Sequence, residues 1–231
     1  MLNRALKAVL LLLVVSGPVS PIVSVSPGGT KAPPGSIGLS PGTIAQAQDP
    51  GAPLRYRVVA EQSEARYRIR EQLAGFNLPN DAVGATNAIE GGIALDGQGR
   101  LVTEDSRLTV DLRKLQSDRD RRDNYVRRNT LETERYPLTV FVPTEIRGLQ
   151  FPFPPSGTAS FELIGDLTVR DVTRRVTWEA TATFNGLDVN VQAKTAFRFA
   201  DFDLTIPRVS SVLSVEDNIR LETDLMLRRS S

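Results

Sequence analysis

Apolar side chains recur at every second position along most of this chain from Leu54 onward. Leu54, Tyr56 and Val58 alternate with Arg55 and Arg57, and Ala65, Tyr67 and Ile69 alternate with Arg66, Arg68 and Arg70. A two-residue period places apolar side chains on one face of a strand and charged ones on the other. The period returns in Ile89, Gly91, Ile93 and Leu95, in Leu108, Val110 and Leu112, and in Leu163, Gly165, Leu167 and Val169. It is fullest in Val176, Trp178, Ala180, Ala182 and Phe184. Val189, Val191 and Ala193 lead on to Phe197 and Phe199, and Ile219, Leu221, Thr223, Leu225 and Leu227 close the pattern. Asp96-Gly97-Gln98-Gly99, Arg170-Asp171 and Asn185-Gly186 punctuate the runs as turns, the last a strong hairpin signal. Many short alternating strands joined by hairpins predict an all-β, antiparallel sandwich or barrel. The strand at Leu138 is ambiguous, because both of its parities are partly apolar. Gly91-Gly92 falls inside a strand pattern and predicts a bulge or bend.

One stretch breaks the rhythm. Between Leu115 and Tyr136 charge is dense, and Ser117 with Asp120 forms a capping-box pattern that predicts a short helical excursion ending before Pro137. Within residues 121–128 the apolar side chains are Tyr125 and Val126 alone. The arginines there are diluted by Asp118, Asp120, Asp123, Glu132 and Glu134. That mixture suits a solvated, salt-bridged face, or a surface that meets a polar headgroup or a partner.

The other end of the chain reads differently. Arg4 and Lys7 precede an apolar run over residues 8–15, and Ser16-Gly17-Pro18 then breaks any helix. The run is too short to span a bilayer, which takes roughly 20 apolar residues. A charged start and a short apolar stretch predict a secretory leader, with Ala45-Gln46-Ala47 as a cleavage site and Gln48 as the first mature residue. The expected localisation is therefore outside the cytoplasm, periplasmic or extracellular. Residues 18–53 are rich in Pro, Gly and Ser and predict leader followed by a disordered lead-in over 48–53. The folded domain is expected over 54–228.

Composition narrows the chemistry. The 231-residue chain has no cysteine and no histidine. Disulfides, thiolate metal sites and Cys nucleophiles are excluded, as are a Ser-His-Asp triad and a His-based zinc site. Removal of residues 1–47 takes away Arg4, Lys7 and Lys31; the 28 basic residues less these three, against 27 acidic ones, leave a net charge near −2. Such a balance argues against nucleic acid as a partner, because phosphate-backbone binding needs accumulated basic charge. No pair of carboxylates is placed by its spacing for acid/base work. Asp201, Asp203, Glu216 and Asp217 lack the dense oxygen alternation of a Ca²⁺ loop. No catalytic residue, metal or cofactor is expected.

Four segments carry a resemblance. Glu90-Gly91-Gly92-Ile93-Ala94-Leu95-Asp96, then Arg122-Asp123-Asn124-Tyr125-Val126-Arg127, then Tyr136-Pro137-Leu138-Thr139-Val140-Phe141, and finally Gly165-Asp166-Leu167-Thr168-Val169-Arg170-Asp171-Val172-Thr173 resemble, in order and spacing, the YceI family over roughly residues 54–228. The chain departs from the family pattern where Tyr125 and Val126 replace a His and a Leu, and where Thr130-Leu131-Glu132 replace an aromatic pair. The resemblance implies a lipocalin-like barrel of about eight strands whose interior holds a polyisoprenoid chain, such as an isoprenoid quinone or a polyprenyl lipid.

An eight-stranded barrel is wide enough either to be filled by side chains or to hold one ligand. Ala180, Ala182 and Ala193 on the inward parity suit a cavity and barrel taper equally well. If the interior is a cavity, its expected lining is Tyr67, Ile69, Ile93, Leu108, Val110, Leu167, Trp178, Phe184 and Phe197, with Phe141 added by the family alignment. Phe151-Pro152-Phe153-Pro154-Pro155 reads as an ordered surface turn in preference to an apolar lip at the mouth. Two functions stay open. One is an exported carrier of an apolar lipid that touches membranes transiently. The other is an interaction module with a packed core that docks a membrane or protein through residues 117–135. The sequence leaves the oligomeric state open, a homodimer included.

Overall fold

The computed structural model describes residues 53–230. The expected leader over 1–47, with its cleavage site, and the lead-in up to residue 52 lie outside the described residues.

The described residues form eleven antiparallel strands, most of them built on the alternating runs: β1 (Leu54–Val58), β2 (Glu64–Leu73), β3 (Asn80–Thr86), β4 (Ile89–Leu95), β5 (Arg107–Asp111), β6 (Gln116–Ser117), β7 (Leu138–Arg147), β8 (Ser156–Val169), β9 (Val172–Asn185), β10 (Asp188–Phe197) and β11 (Val212–Ser230). Eight of them, in the order β1-β4-β5-β7-β8-β9-β10-β11, close into a barrel through the pairing of β1 with β11. Closure leaves no exposed ladder around the ring, which is how an antiparallel sheet removes its edges. β11 is long enough to serve two partners along one edge, β2 over Val212 to Asp224 and β1 over Leu227 to Ser230. β2, β3 and β6 thus prolong the barrel wall beyond β1, β4 and β5 at one end.

Where the strands bend, hydroxyls replace the interrupted ladder. Between β1 and β2 the buried Ser63 donates to the Val59 carbonyl at 2.8 Å and accepts from the Met226 N–H at 3.0 Å. After β4, the buried Ser106 donates to the Val102 carbonyl at 2.7 Å and accepts from the Ala94 N–H at 2.9 Å. Each satisfies backbone groups that would otherwise be buried without partners. No bulge forms at Gly91-Gly92, because the register with β5 runs on unbroken through both residues. Gly91 has φ +112°, and a side chain there would collide with the Arg107 carbonyl.

The hairpins form where the turn residues predict them. Val169 pairs with Val172 around Arg170-Asp171, and Asn185 pairs with Asp188 around Gly186-Leu187. The capping box does not form. Helix α1 (Asp120–Tyr125) begins without a side-chain cap. The Ser117 hydroxyl instead donates to the buried Asp123 at 2.6 Å, and Asp123 also accepts the Ser117 N–H. The chain then widens over Val126–Thr130 into a π-helical turn, in which the Leu131 N–H reaches the Val126 carbonyl at 2.8 Å.

Candidate functional site

Two ends define the barrel interior. At the helical end lie α1, the π-helical turn, the β8–β9 hairpin and the β10–β11 connection. At the opposite end lie the β9–β10 hairpin and the Phe/Pro loop between β7 and β8. Along β9 the inward residues Trp178, Ala180, Ala182 and Phe184 are all buried, while Glu179 and Thr183 face outward and are exposed. The interior is therefore built by strand parity.

It is not filled. Three apolar voids lie in a row along the barrel, of about 120 Å³ at the helical end, about 130 Å³ in the middle and about 60 Å³ at the Phe/Pro end. Tyr67, Thr139 and Leu221 border both the first and the second, and Ile93, Leu163 and Val191 border both the second and the third. Adjacent voids are thus parted by single layers of side chains. A void of about 130 Å³ in an ordinary core costs about 3 kcal/mol at roughly 24 cal/mol per Å³.

The ten residues expected to line a cavity all border these voids. Ile93, Leu108, Val110, Phe141, Leu167 and Trp178 face the middle one, where Phe141 meets Trp178 edge-on with ring centroids 5.8 Å apart. Tyr67 lies between the middle and helical-end voids. Ile69 and Phe197 face the helical-end void, and Phe184 faces the one at the Phe/Pro end. Same-parity neighbours Leu163, Leu221, Leu225 and Leu227 join them. The period that marks Leu167 and Trp178 also marks these four. Val126, Thr130, Leu131 and Leu204 close the helical end from irregular segments that carry no period.

The charged segment over residues 117–135 is clasped onto the barrel. Arg122 forms an ion pair with Glu71 of β2 at 2.6 Å, with only 12% and 8% of the two side chains exposed, and also pairs with Asp118. Farther along, Glu132 pairs with Arg170 at 2.8 Å, and the Tyr136 hydroxyl donates to Asp171 at 3.0 Å. With Val126 and Leu131 turned onto the void, the segment is a cover anchored at both sides of the barrel end, not a uniformly solvated face. Tyr67 sits beneath it. Burial pushes its phenol up to about 12, opposed in part by the Arg122 guanidinium.

The Phe/Pro loop also departs from expectation. Phe153 stacks on Phe184 with ring centroids 5.5 Å apart and borders the void at that end, and Phe151 packs edge-on against Phe153. The loop caps the barrel and is more than a surface turn. Its prolines mask the inward position of Phe153 in the sequence.

Two of the four carboxylates weighed as Ca²⁺ ligands have structural work. Asp201 accepts the Arg198 N–H at 2.7 Å, and Asp217 accepts the Phe199 N–H at 2.9 Å. Among the described residues no cluster of three or more acidic side chains could hold a metal ion. No helix among them is long and apolar enough to cross a membrane.

Comparison with known proteins agrees with this architecture. The sequence model of the YceI-like domain matches residues 56–227. No curated protein matches the chain. Among solved structures, a polyisoprenoid binding domain from Saccharophagus degradans, implicated in plant cell wall breakdown, is similar with a TM-score of 0.59 at 12% identity, covering 77% of this chain and 99% of that one. BcnA of Burkholderia cenocepacia is similar with a TM-score of 0.55 at 18% identity, over 73% and 98% of the two chains. A mutant Campylobacter jejuni YceI protein gives 0.53 at 14% identity, over 69% and 91%.

Proposed function

The chain belongs to the YceI family, and on that footing we propose that it is an exported lipid-binding protein that sequesters or carries a polyisoprenoid-type apolar lipid in its barrel. The observation that carries this reading is the row of three apolar voids along the barrel. A branched, unsaturated tail matches a narrow apolar bore, and each methylene withdrawn from water contributes roughly 0.8 kcal/mol. A few isoprene units thus offset the ordering costs of binding without any polar chemistry. The polyisoprenoid binding domain from Saccharophagus degradans supports the choice of ligand class. An isoprenoid quinone falls within that class. Export rests on the leader pattern around Arg4, Lys7 and the apolar run that follows.

The protein acts here as a carrier and not as an enzyme, with the lipid as cargo and no cofactor. Transient membrane contact fits the helical end, where Phe76, Leu78 and Leu213 are 60%, 77% and 67% exposed on the β2–β3 hairpin and the adjoining start of β11. Ala74 of that hairpin donates to the Ser211 carbonyl, so the two loops present one apolar rim.

The test is displacement of a fluorescent apolar probe, N-phenyl-1-naphthylamine, by prenyl compounds of increasing length. Affinity that rises with each isoprene unit supports the reading. A protein that neither takes up the probe nor binds any prenyl compound refutes it.

A further inference from the structure

The smallest of the three voids, about 60 Å³, lies at the Phe/Pro end, where two stacked rings border it. Phe184 is buried on the inward face of β9, and Phe153 comes from the loop between β7 and β8. Their centroids are 5.5 Å apart. Phe151 backs Phe153 edge-on at 5.4 Å and lies against Gly99 in the β4–β5 connection, where a Cβ would stand 2.4 Å from its ring. The turn that carries Gly99 is held by Asp96, whose carboxylate accepts the N–H groups of Gln98 and Arg100 at 2.9 Å. At the far end of the loop, the Gly186 N–H donates to the Pro155 carbonyl at 2.9 Å. The cap is thus fastened to two separate turns.

Polarity falls along the bore toward these rings. Tyr67, Thr130 and Thr139 border the helical-end void, while among the described residues Tyr56 is the one polar side chain on the void at the Phe/Pro end. The two closures differ in kind. The helical cover is held by the ion pairs of Arg122 with Glu71 and of Glu132 with Arg170, the other by packed rings. Charges that part regain their hydration, whereas parted rings expose apolar surface to water.

We infer that the Phe/Pro end is the closed floor of the bore and that Phe153 is the residue that limits the length of the bound chain. The isoprenoid chain enters under the helical cover and lays its apolar terminus against the Phe153 ring. This rests on the lipid-carrier reading above and narrows it, from prenyl chains of any length to those that end at Phe153. Each carbon inside the bore is withdrawn from water and adds affinity. A chain longer than the bore must leave carbons in water or dislodge the ring from Phe184, so affinity stops rising at the length that reaches the floor.

The test is a length series of prenyl alcohols, geraniol, farnesol, geranylgeraniol, geranylfarnesol and solanesol, titrated against bound N-phenyl-1-naphthylamine. In the parent, affinity is expected to rise with length and then level off. Phe153→Ala is expected to move that limit to a longer chain, with the first alcohol beyond the parent's limit held about tenfold more tightly and shorter ones within about twofold. Phe153→Trp is expected to move it to a shorter chain. Where Phe153→Ala folds poorly, Phe153→Leu keeps an apolar side chain in the loop and is expected to move the limit the same way by less. A uniform loss at every length, with the limit unmoved, would show that Phe153 only supports the fold and would overturn the inference. So would affinity in the parent that climbs without a limit, since the chain would then thread out past the rings. Either result leaves the lipid reading standing. If no prenyl alcohol binds the parent, the lipid reading fails and the inference fails with it.

Discussion

The ring of Tyr67 occupies the space in which a side chain on Gly84 would stand. The two residues are register partners on β2 and β3, and a Cβ at Gly84 would lie 2.2 Å from Tyr67 Cε1. Gly84 has no positive φ, so the need for glycine there is steric and not conformational. Because Tyr67 borders two voids, a displaced ring has somewhere to go. Gly84→Ala is therefore expected to keep stability within about 1 kcal/mol of the parent, the strand preference for Ala offsetting part of the strain. It swings Tyr67 into the passage and weakens binding of long prenyl probes severalfold. Paired urea melts and probe titrations check this; a large loss of stability with unchanged affinity would contradict it.

The same pair shows how far the sequence can be read. β3 (Asn80 to Thr86) escapes the two-residue pattern because its buried positions, Ala82, Gly84 and Thr86, hold only small side chains. Its inner face is covered by the Tyr67 ring, so it needs no large apolar side chain of its own. Strand parity does specify the inward faces of β2, β8, β9 and β11, because burial on one side of a pleated sheet admits only alternation. Parity is silent on whether those faces meet, since side-chain volumes summed over eight strands decide between a core and a void. The two barrel ends are silent as well. Val126, Leu131 and Leu204 lie in irregular segments, and the apparent cap at Ser117 is diverted because Asp123 is the better partner.

The Arg122–Glu71 pair holds the helical cover to β2. Breaking a buried pair leaves the remaining charge without a partner and costs roughly 3–5 kcal/mol when burial is complete. Arg122 keeps Asp118, so Glu71→Gln is expected to cost about 2 kcal/mol, below that range. Hydrogen exchange of the amides over residues 118–130 should quicken in this variant, and bound probe should leave faster. Unchanged exchange would show that the pair does not fasten the cover.

Tyr67 links stability to alkaline pH. Its folded-state value of about 12 lies above the ordinary phenol value of 10.0, chiefly through burial. The folded protein therefore holds the phenolic proton more tightly than the unfolded chain. This contribution is complete below pH 10 and is lost as pH rises from about 10 to about 12, on the order of 2–3 kcal/mol in all. Tyr67→Phe should flatten that part of the stability–pH curve. An equally steep decline in the variant would place the effect elsewhere.

Val191 lines both the middle void and the one at the Phe/Pro end. Val191→Phe adds a ring where space is free, so the lipid-free protein should melt at a higher temperature, in contrast to the usual cost of overpacking a filled core. The same ring blocks the bore, and prenyl probes should bind more than about tenfold more weakly, since a ligand cannot share occupied volume. Stability and affinity moving in opposite directions is the signature of a functional void. A destabilised variant with full affinity would indicate a packed interior.

The central claim is that the barrel holds a lipid. Its most direct test is organic extraction of the protein purified from cells that make it, followed by mass spectrometry of the extract. About one prenyl lipid per chain is expected, matching a bore that holds one ligand. A folded, monodisperse protein that releases no lipid and takes up none when prenyl compounds are supplied would contradict it.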